Sequence, residues 1–404
     1  VNADHQLGTT RIRAGTPLLF LVCLVIFLDS LGYGVVVPVL PLYAKQLGVS
    51  DFNLGLLFAS YAIALLIGAI PAGMLSDRFG RKPFVLFGMF AMSAAFLFYA
   101  YATTYPMLVV ARVLDGFTAA ATWSAGLALI GDRCDPDSLG TYFGYALAAM
   151  AIGAVGGPVL GGFLSDSLGY KAPFILIAAM CLLGGFVAMF LSADAKAAGV
   201  RGVFSPREML RPIIGNTVIR VACVITAITT IGLGMIEPLL PLRLSRVFGI
   251  SRTGIGLLFG ANLVCYAVAS PLVGRLSDRV GRMRPIVAGL LATAVVFPFL
   301  AVTRSLPVMY VLMGILGITI ALFGTPSVPL ITDTLPASSE GPGAGPHYGT
   351  AFGLLNLFWS LGYAIGPILG GGLVSAWGLP ATLLVYSLML LPLALLTARY
   401  LRGH

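Results

Sequence analysis

Two carboxylates, Asp29 and Glu237, stand deep inside apolar stretches long enough to cross a membrane. Asp29 lies in LLFLVCLVIFLDSLGYGVVVPVLPLY and Glu237 in VACVITAITTIGLGMIEPLLPL. A charged side chain at the bilayer centre costs about 3 kcal/mol on insertion scales, so an acid placed there points to what it binds. Such an acid recovers neutrality by taking up a proton or a cation, or each in turn. The plainer alternative is a carboxyl that only bridges helices through a structural hydrogen bond. Asp29 falls roughly 18 Å into its span at about 1.5 Å per residue, near the midplane, and Tyr33 follows at i+4 on the same face. Glu237 precedes Pro238, which frees a backbone carbonyl beside the acid, and Thr230 lies two turns earlier on a similar face.

Other side chains share that setting. Asn356, Trp359, Ser360 and Tyr363 stand at i, i+3, i+4 and i+7 along one helical stripe. An amide, two aromatics and a hydroxyl suit an organic cation through cation–π and hydrogen-bond contacts, or else they pack helices. Tyr61 and Tyr266 each follow a GLLF tetrapeptide, so each either lines a cavity or points into its own half. Arg112 and Asp115, at i and i+3, read as a local ion pair that lets both charges stay in the membrane, with a structural or coupling role. Asp77 with Arg78 and Arg81, and Asp278 with Arg279, sit in loops as clamps of helix ends rather than as substrate ligands. The runs 153–162, containing Gly157-Pro158, and 362–371, containing Gly366-Pro367, permit close helix approach. His5, His347 and His404 all lie outside the spans, which excludes a histidine metal site or relay in the membrane. Neither a cofactor nor an enzyme is indicated: no phosphate loop, dinucleotide fingerprint, zinc motif or catalytic triad occurs in a plausible context.

The elements that position these groups follow from composition. Of 404 residues, 58% are hydrophobic and only 10% charged, against about 25% charged in soluble domains. Spans of roughly 20 residues are expected at 18–43, 53–75, 84–102, 107–131, 140–164, 173–192, 217–244, 253–276, 286–303, 308–332, 348–374 and 380–399. The first apolar run is full-length and continues into Pro-rich sequence, so no cleavable signal is expected. The net charge of +9 does not indicate nucleic acid, because 16 Lys and Arg fall on the N-terminal side of the spans and 6 on the other. That asymmetry places both termini in the cytoplasm of an inner-membrane protein. Five cysteines, four of them in spans, imply no disulfide framework.

The chain repeats one design at an offset of about 200 residues. PVLPLY at 38–43 parallels PLLPLR at 238–243, and GLLF at 55–58 parallels GLLF at 256–259. GMLSDRFGRKP at 73–83 parallels GRLSDRVGRMRP at 274–285, and GAVGGPVLGG at 153–162 parallels GYAIGPILGG at 362–371. The expected organisation is an all-α membrane protein of twelve transmembrane helices in two pseudo-symmetric six-helix lobes, 1–192 and 216–404. A cytoplasmic linker, 193–215, joins them, with a short interfacial helix opened by Ser205-Pro206-Arg207-Glu208. Residues 336–346 form a Gly/Pro-rich loop.

These motifs resemble the major facilitator superfamily across the whole chain. Gly73 to Lys82, repeated from Gly274 to Arg282, is similar to its loop motif; Arg112 to Gly116 is similar to its R-x-x-x-G motif. The run from Gly153 to Gly162 looks like the motif of its drug:proton antiporters. Phe27-Leu28-Asp29, Val35 to Pro38, Met235 to Pro238 and Leu361 to Pro367 further resemble vesicular amine transporters and bacterial multidrug-efflux relatives. In that family the acids matching Asp29 and Glu237 take part in amine and proton binding. This chain departs from it with Asn356 in place of a third acid, and with Tyr61 and Ser387 in place of a membrane lysine–aspartate pair. The resemblance implies an antiporter exporting lipophilic organic cations, monoamine-like or drug-like, in exchange for protons; a monomer is expected. A transporter of neutral solutes such as sugars, and a receptor that retains the fold, are the alternatives.

Overall fold

The computed structural model describes residues 16–133, 139–190, 213, 215–334 and 348–402. Among these residues there are eleven long helices and no strand. They are α1 (Thr16–Gln46), α2 (Asp51–Phe79), α3 (Arg81–Tyr101), α4 (Tyr105–Arg133), α5 (Leu139–Leu168), α6 (Lys171–Phe190), α7 (Thr217–Phe248), α8 (Arg252–Val280), α9 (Met283–Val302), α10 (Leu306–Thr334) and α11 (Tyr348–Arg402). Each is long and apolar enough to cross a membrane. The reason is physical: in hydrocarbon every backbone N–H and C=O must be satisfied within the segment, which a helix does.

Helix α11 is 55 residues long and breaks at Gly378, where φ 77 and ψ 165 leave the helical region. The sequence anticipates separate spans at 348–374 and 380–399, and the break falls between them. Both arms touch the same stretch of α7. A Cβ on Gly366 would collide with the Ile231 carbonyl, while the Tyr386 hydroxyl donates to the Ile228 carbonyl at 3.0 Å. Two positions twenty residues apart therefore meet neighbouring turns of one helix, which requires the arms to lie side by side.

Helix ends follow ordinary capping chemistry. Ser50 accepts from the Asn53 amide at 3.1 Å, Ser251 from the Gly254 amide at 3.3 Å, and Asn216 from the Val218 amide at 2.9 Å. The turns at Gly80 and Gly281 have φ 93 and φ 90, a backbone that L side chains rarely adopt. Across each turn the repeated loop motif folds the same way. Arg81 pairs with Asp77 and donates to Ser76 Oγ at 2.6 Å. Arg282 pairs with Asp278, donates to Ser277 Oγ at 3.0 Å, and reaches Asp333 of α10 at 3.2 Å. Arg78 instead stands over the Phe79 ring at 5.7 Å.

Two large buried clusters form the interior. One draws on α1 to α6, with Leu242 added; the other draws on α7 to α11, with Val37 added. The glycine-rich runs act as the sequence suggests, as places where backbones meet. Added Cβ atoms on Gly153 and Gly157 would collide with the Phe27 and Leu31 carbonyls of α1. Those on Gly362 and Gly366 would collide with the Ala227 and Ile231 carbonyls of α7.

The two clusters are joined at one end of the molecule, where the chain turns at 47–50 and 249–251. There Gly55 of α2 lies against the Pro367 carbonyl of α11, and Gly256 of α8 against the Pro158 carbonyl of α5. Asp166, near the end of α5, accepts hydrogen bonds from the Thr253 amide at 2.8 Å and the Thr253 hydroxyl at 2.7 Å, fixing the start of α8. At the opposite end, no described residue lies within 4 Å of a Cβ position on Gly73, Gly140 or Gly144, as is also true of Gly48 and Gly249 in the turns of the joined end. The expected linker helix at Ser205–Glu208 and the loop at 336–346 lie outside the described residues.

Candidate functional site

Asp29 is only 6% exposed, in the middle of α1. Its Oδ2 accepts a 2.6 Å hydrogen bond from the indole N–H of Trp123 on α4. Glu237, on α7, is similarly held: its Oε2 accepts a 2.6 Å bond from the Tyr33 hydroxyl of α1. Both bonds have a neutral aromatic donor and a carboxylate acceptor, a charge-assisted arrangement roughly twice as strong as a neutral pair. Each leaves the acid's second oxygen without a protein donor among the described residues, and neither of those oxygens is a sealed, unsatisfied atom. The acids therefore keep acceptor capacity for something else.

Around them is an aromatic wall. Tyr33 and Tyr61 rings lie 5.1 Å apart. Trp359 and Tyr363 rings lie 4.3 Å apart. Tyr33, Tyr61, Trp123 and Tyr363 all pack in one cluster with Ala62, Ala119 and Ala364. Residues from α1, α2, α4 and α11 thus meet at one place, with Glu237 supplied by α7. Small residues make this possible. Gly116 of α4 rests on the Tyr61 carbonyl of α2, and Gly34, beside Tyr33, on Gly157 and Pro158 of α5.

Arg112 is the other charge at the site and is 1% exposed. Its guanidinium stands 4.8 Å from the Phe58 ring, 4.8 Å from Tyr61 and 5.5 Å from Tyr33. Its Nη1 is 3.6 Å from Asp115 Oδ2, and neither Nε nor Nη1 makes a hydrogen bond. Three aromatic faces and a nearby carboxylate replace the missing hydrogen bonds, which suits the weakly hydrated guanidinium. Asp115 in turn accepts from the Tyr99 hydroxyl at 3.1 Å.

The sequence-derived residues divide accordingly. Asp29, Glu237, Tyr33, Tyr61, Trp359 and Tyr363 come together, with Arg112 and Asp115 adjoining. Tyr33 faces Glu237 across a helix interface, although its i+4 spacing points to Asp29. Tyr266 does not join them; it packs with Ala269, Val273 and Ala321 between α8 and α10. Asn356 is exposed, one turn from the buried Ser360, so the expected stripe does not present one uniform face. Thr230 bonds back to the Thr226 carbonyl at 2.7 Å and packs on Gly362. Asp77, Arg78, Arg81, Asp278 and Arg279 lie at helix ends away from the acids, and Gly157, Pro158, Gly366 and Pro367 at helix crossings.

Trp123, Phe58 and Tyr99 are additions that sequence reasoning missed. A signal existed for Trp123: it is one of three tryptophans, on the helix that carries Arg112 and Asp115. Among the described residues no His/Cys/Asp/Glu group could hold a metal ion.

Comparisons with known proteins agree in kind. The synaptic vesicular amine transporter of Homo sapiens is 24% identical over 337 residues, 83% of this chain and 64% of that protein, so the chain spans less than two thirds of that relative's length. The quinolone resistance protein NorA of Staphylococcus aureus is 28% identical over 86% of this chain and 87% of its own. Multidrug resistance protein 2 of Bacillus subtilis is 27% identical over 86% of each chain. A crystal structure of a bacterial homologue of the human lysosomal transporter Spinster, inward-facing and unoccupied, superposes with a TM-score of 0.81 at 18% identity, covering 95% of this chain and 96% of that one. The family model described as Major Facilitator Superfamily matches residues 22–221 and again 222–404. Matched twice over nearly its whole length, this multi-pass membrane chain belongs to the major facilitator superfamily of transporters.

Proposed function

We propose that the protein is a proton-coupled antiporter that exports lipophilic organic cations. The observation that supports this best is the pair of buried acids, each held through one oxygen by an aromatic donor and set in an aromatic wall. An apolar cation is matched on both counts: the aromatic faces receive its body and its charge, and the carboxylates neutralise it. A proton satisfies the same carboxylates, so the two ligands compete. A neutral solute such as a sugar would instead bond the acids through its hydroxyls, and competition between cation and protons separates the two readings.

In this reading the chain makes twelve passes, α11 supplying two across its break at Gly378, and forms two six-helix lobes with both termini in the cytoplasm. The joined end is then periplasmic and the conformation inward-facing. A cytoplasmic cation displaces protons from Asp29 and Glu237, the lobes rock, and protons taken up from outside displace the cation. Asp115 already has Arg112 as its partner at 3.6 Å, which leaves Asp29 and Glu237 as the exchanging acids.

The test is flux in proteoliposomes under an imposed pH gradient, with tetraphenylphosphonium as the cation. Wild-type protein accumulates it against its gradient; Glu237→Gln loses gradient-driven accumulation but retains exchange at equal pH. Full accumulation by Glu237→Gln would overturn the role given to that acid.

A further inference from the structure

The Tyr33–Glu237 bond has a geometry that the Trp123–Asp29 bond lacks. Asp29 and Trp123 belong to α1 and α4, whose interiors fall in the same buried cluster. Tyr33 and Glu237 belong to α1 and α7, whose interiors fall in different ones. The second bond therefore crosses the interface that must change in alternating access. Tyr33 is also rigidly mounted: Gly32 beside it is packed against Phe96, and Gly34 against Pro158. The Tyr33 ring, on α1, also lies against Tyr61 of α2, tilted by 49°. The groups facing Glu237 are Tyr33 from α1, Arg112 from α4 and Tyr363 from α11.

We propose that Tyr33 is a positioning residue that locks the empty, ionised transporter in the conformation joined at the 47–50 and 249–251 end. It does so by tying α1 to the Glu237 carboxylate of α7. The inference rests on the reading of Glu237 as a proton- and cation-binding acid. The bond is charge-assisted only while Glu237 carries its charge. A proton on Glu237 turns it into a neutral pair of roughly half the strength. A cation beside the free oxygen withdraws the carboxylate's charge to the same effect. Either ligand loosens the tie and frees the interface to open, whereas the empty ionised protein stays shut. An antiporter needs that rule, because an empty carrier that reorients would dissipate one gradient without moving the other.

The experiment measures distance rather than flux. Spin labels go on Thr103→Cys and Ser305→Cys, exposed loop positions at the joined end, in a background without the native cysteines. The wild-type pair gives one short population at alkaline pH and a growing long population as pH falls. Tyr33→Phe keeps the ring against Tyr61 and beneath Arg112 but removes the hydroxyl. It is expected to show the long population already at alkaline pH, with the pH response flattened. Glu237→Gln, which leaves only a neutral bond, should shift the populations the same way, and the double variant should go no further than Tyr33→Phe alone, because both changes act on one interaction. Glu237→Asp, which withdraws the carboxylate by one methylene, provides a second break of the bond with both groups retained and should flatten the alkaline plateau likewise. A Tyr33→Phe protein with the wild-type pH response, or effects of Tyr33→Phe and Glu237→Gln that simply add, would overturn the lock. Flux decides the antiport reading separately. If wild-type protein moves no cation under a pH gradient, that reading fails, while the distances still decide whether Tyr33 locks the interface.

Discussion

Asp29→Asn is the substitution whose cost follows most directly from the geometry. Asparagine has nearly the same shape, and its Oδ1 can still accept from Trp123, so the 2.6 Å contact to the indole survives. What disappears is the charge. A cation about 4 Å from a carboxylate gains about 4 kcal/mol at an effective dielectric constant of ~20. At 1.4 kcal/mol per tenfold, that sets a ceiling of about a thousandfold on the loss of affinity. Part of the gain offsets the cation's own dehydration, so a loss of about a hundredfold, on the order of 2–3 kcal/mol, is the expected net. Stability should hold or rise slightly, because a buried charge has been removed. The assay is equilibrium binding of tritiated tetraphenylphosphonium to purified protein, beside thermal unfolding of the same preparation. A stable Asp29→Asn protein that binds within about threefold of wild type would refute the reasoning and leave the cation's charge to Glu237 alone.

Three further expectations follow from packing and from the joined end. Gly366→Leu places a side chain on the Ile231 carbonyl of α7 and should abolish folded yield, whereas Gly73→Ala, with nothing within 4 Å of its Cβ, should leave yield and melting temperature unchanged. Asp166→Asn weakens the cap on the start of α8, so spin labels at Thr103→Cys and Ser305→Cys should show more of the long population with cation affinity barely altered. An unchanged distance distribution would mean that the backbone contacts at Gly162 and Gly256 hold that end without it. Asn356→Asp adds a titratable group at an exposed position of α11 and should steepen the pH dependence of transport, read as flux against pH gradient; an unaltered slope would place position 356 outside the proton path.

Much of this architecture was legible in the sequence, and the reasons for the rest are physical. Asp29 and Glu237 stood out because a carboxylate in an apolar run is rare and costly. The runs at Gly153 and Gly362 announced close helix contacts because a residue without a side chain lets two backbones meet. What one sequence does not encode is which helix face meets which. Lipid is as apolar as the protein interior, so a membrane helix such as α1 or α10 is hydrophobic on every side, and periodicity carries little information about direction. That is why Tyr61 and Tyr266, equivalent in the repeat, part company: one enters the aromatic wall and the other packs on α10. It is also why Tyr33 reaches Glu237, 204 residues away, rather than the acid one turn before it. Trp123 was missed for the same reason, since nothing within α4 says that its indole meets α1.

The central claim is competition between a cation and protons for Asp29 and Glu237. It is tested most directly by adding tetraphenylphosphonium to purified protein in weakly buffered solution and following proton release with a pH-sensitive dye. Binding should release protons wherever the acids hold them, with the release reduced in either Asp29→Asn or Glu237→Gln and absent when both are changed. Saturable cation binding with no proton released at any pH would contradict the account.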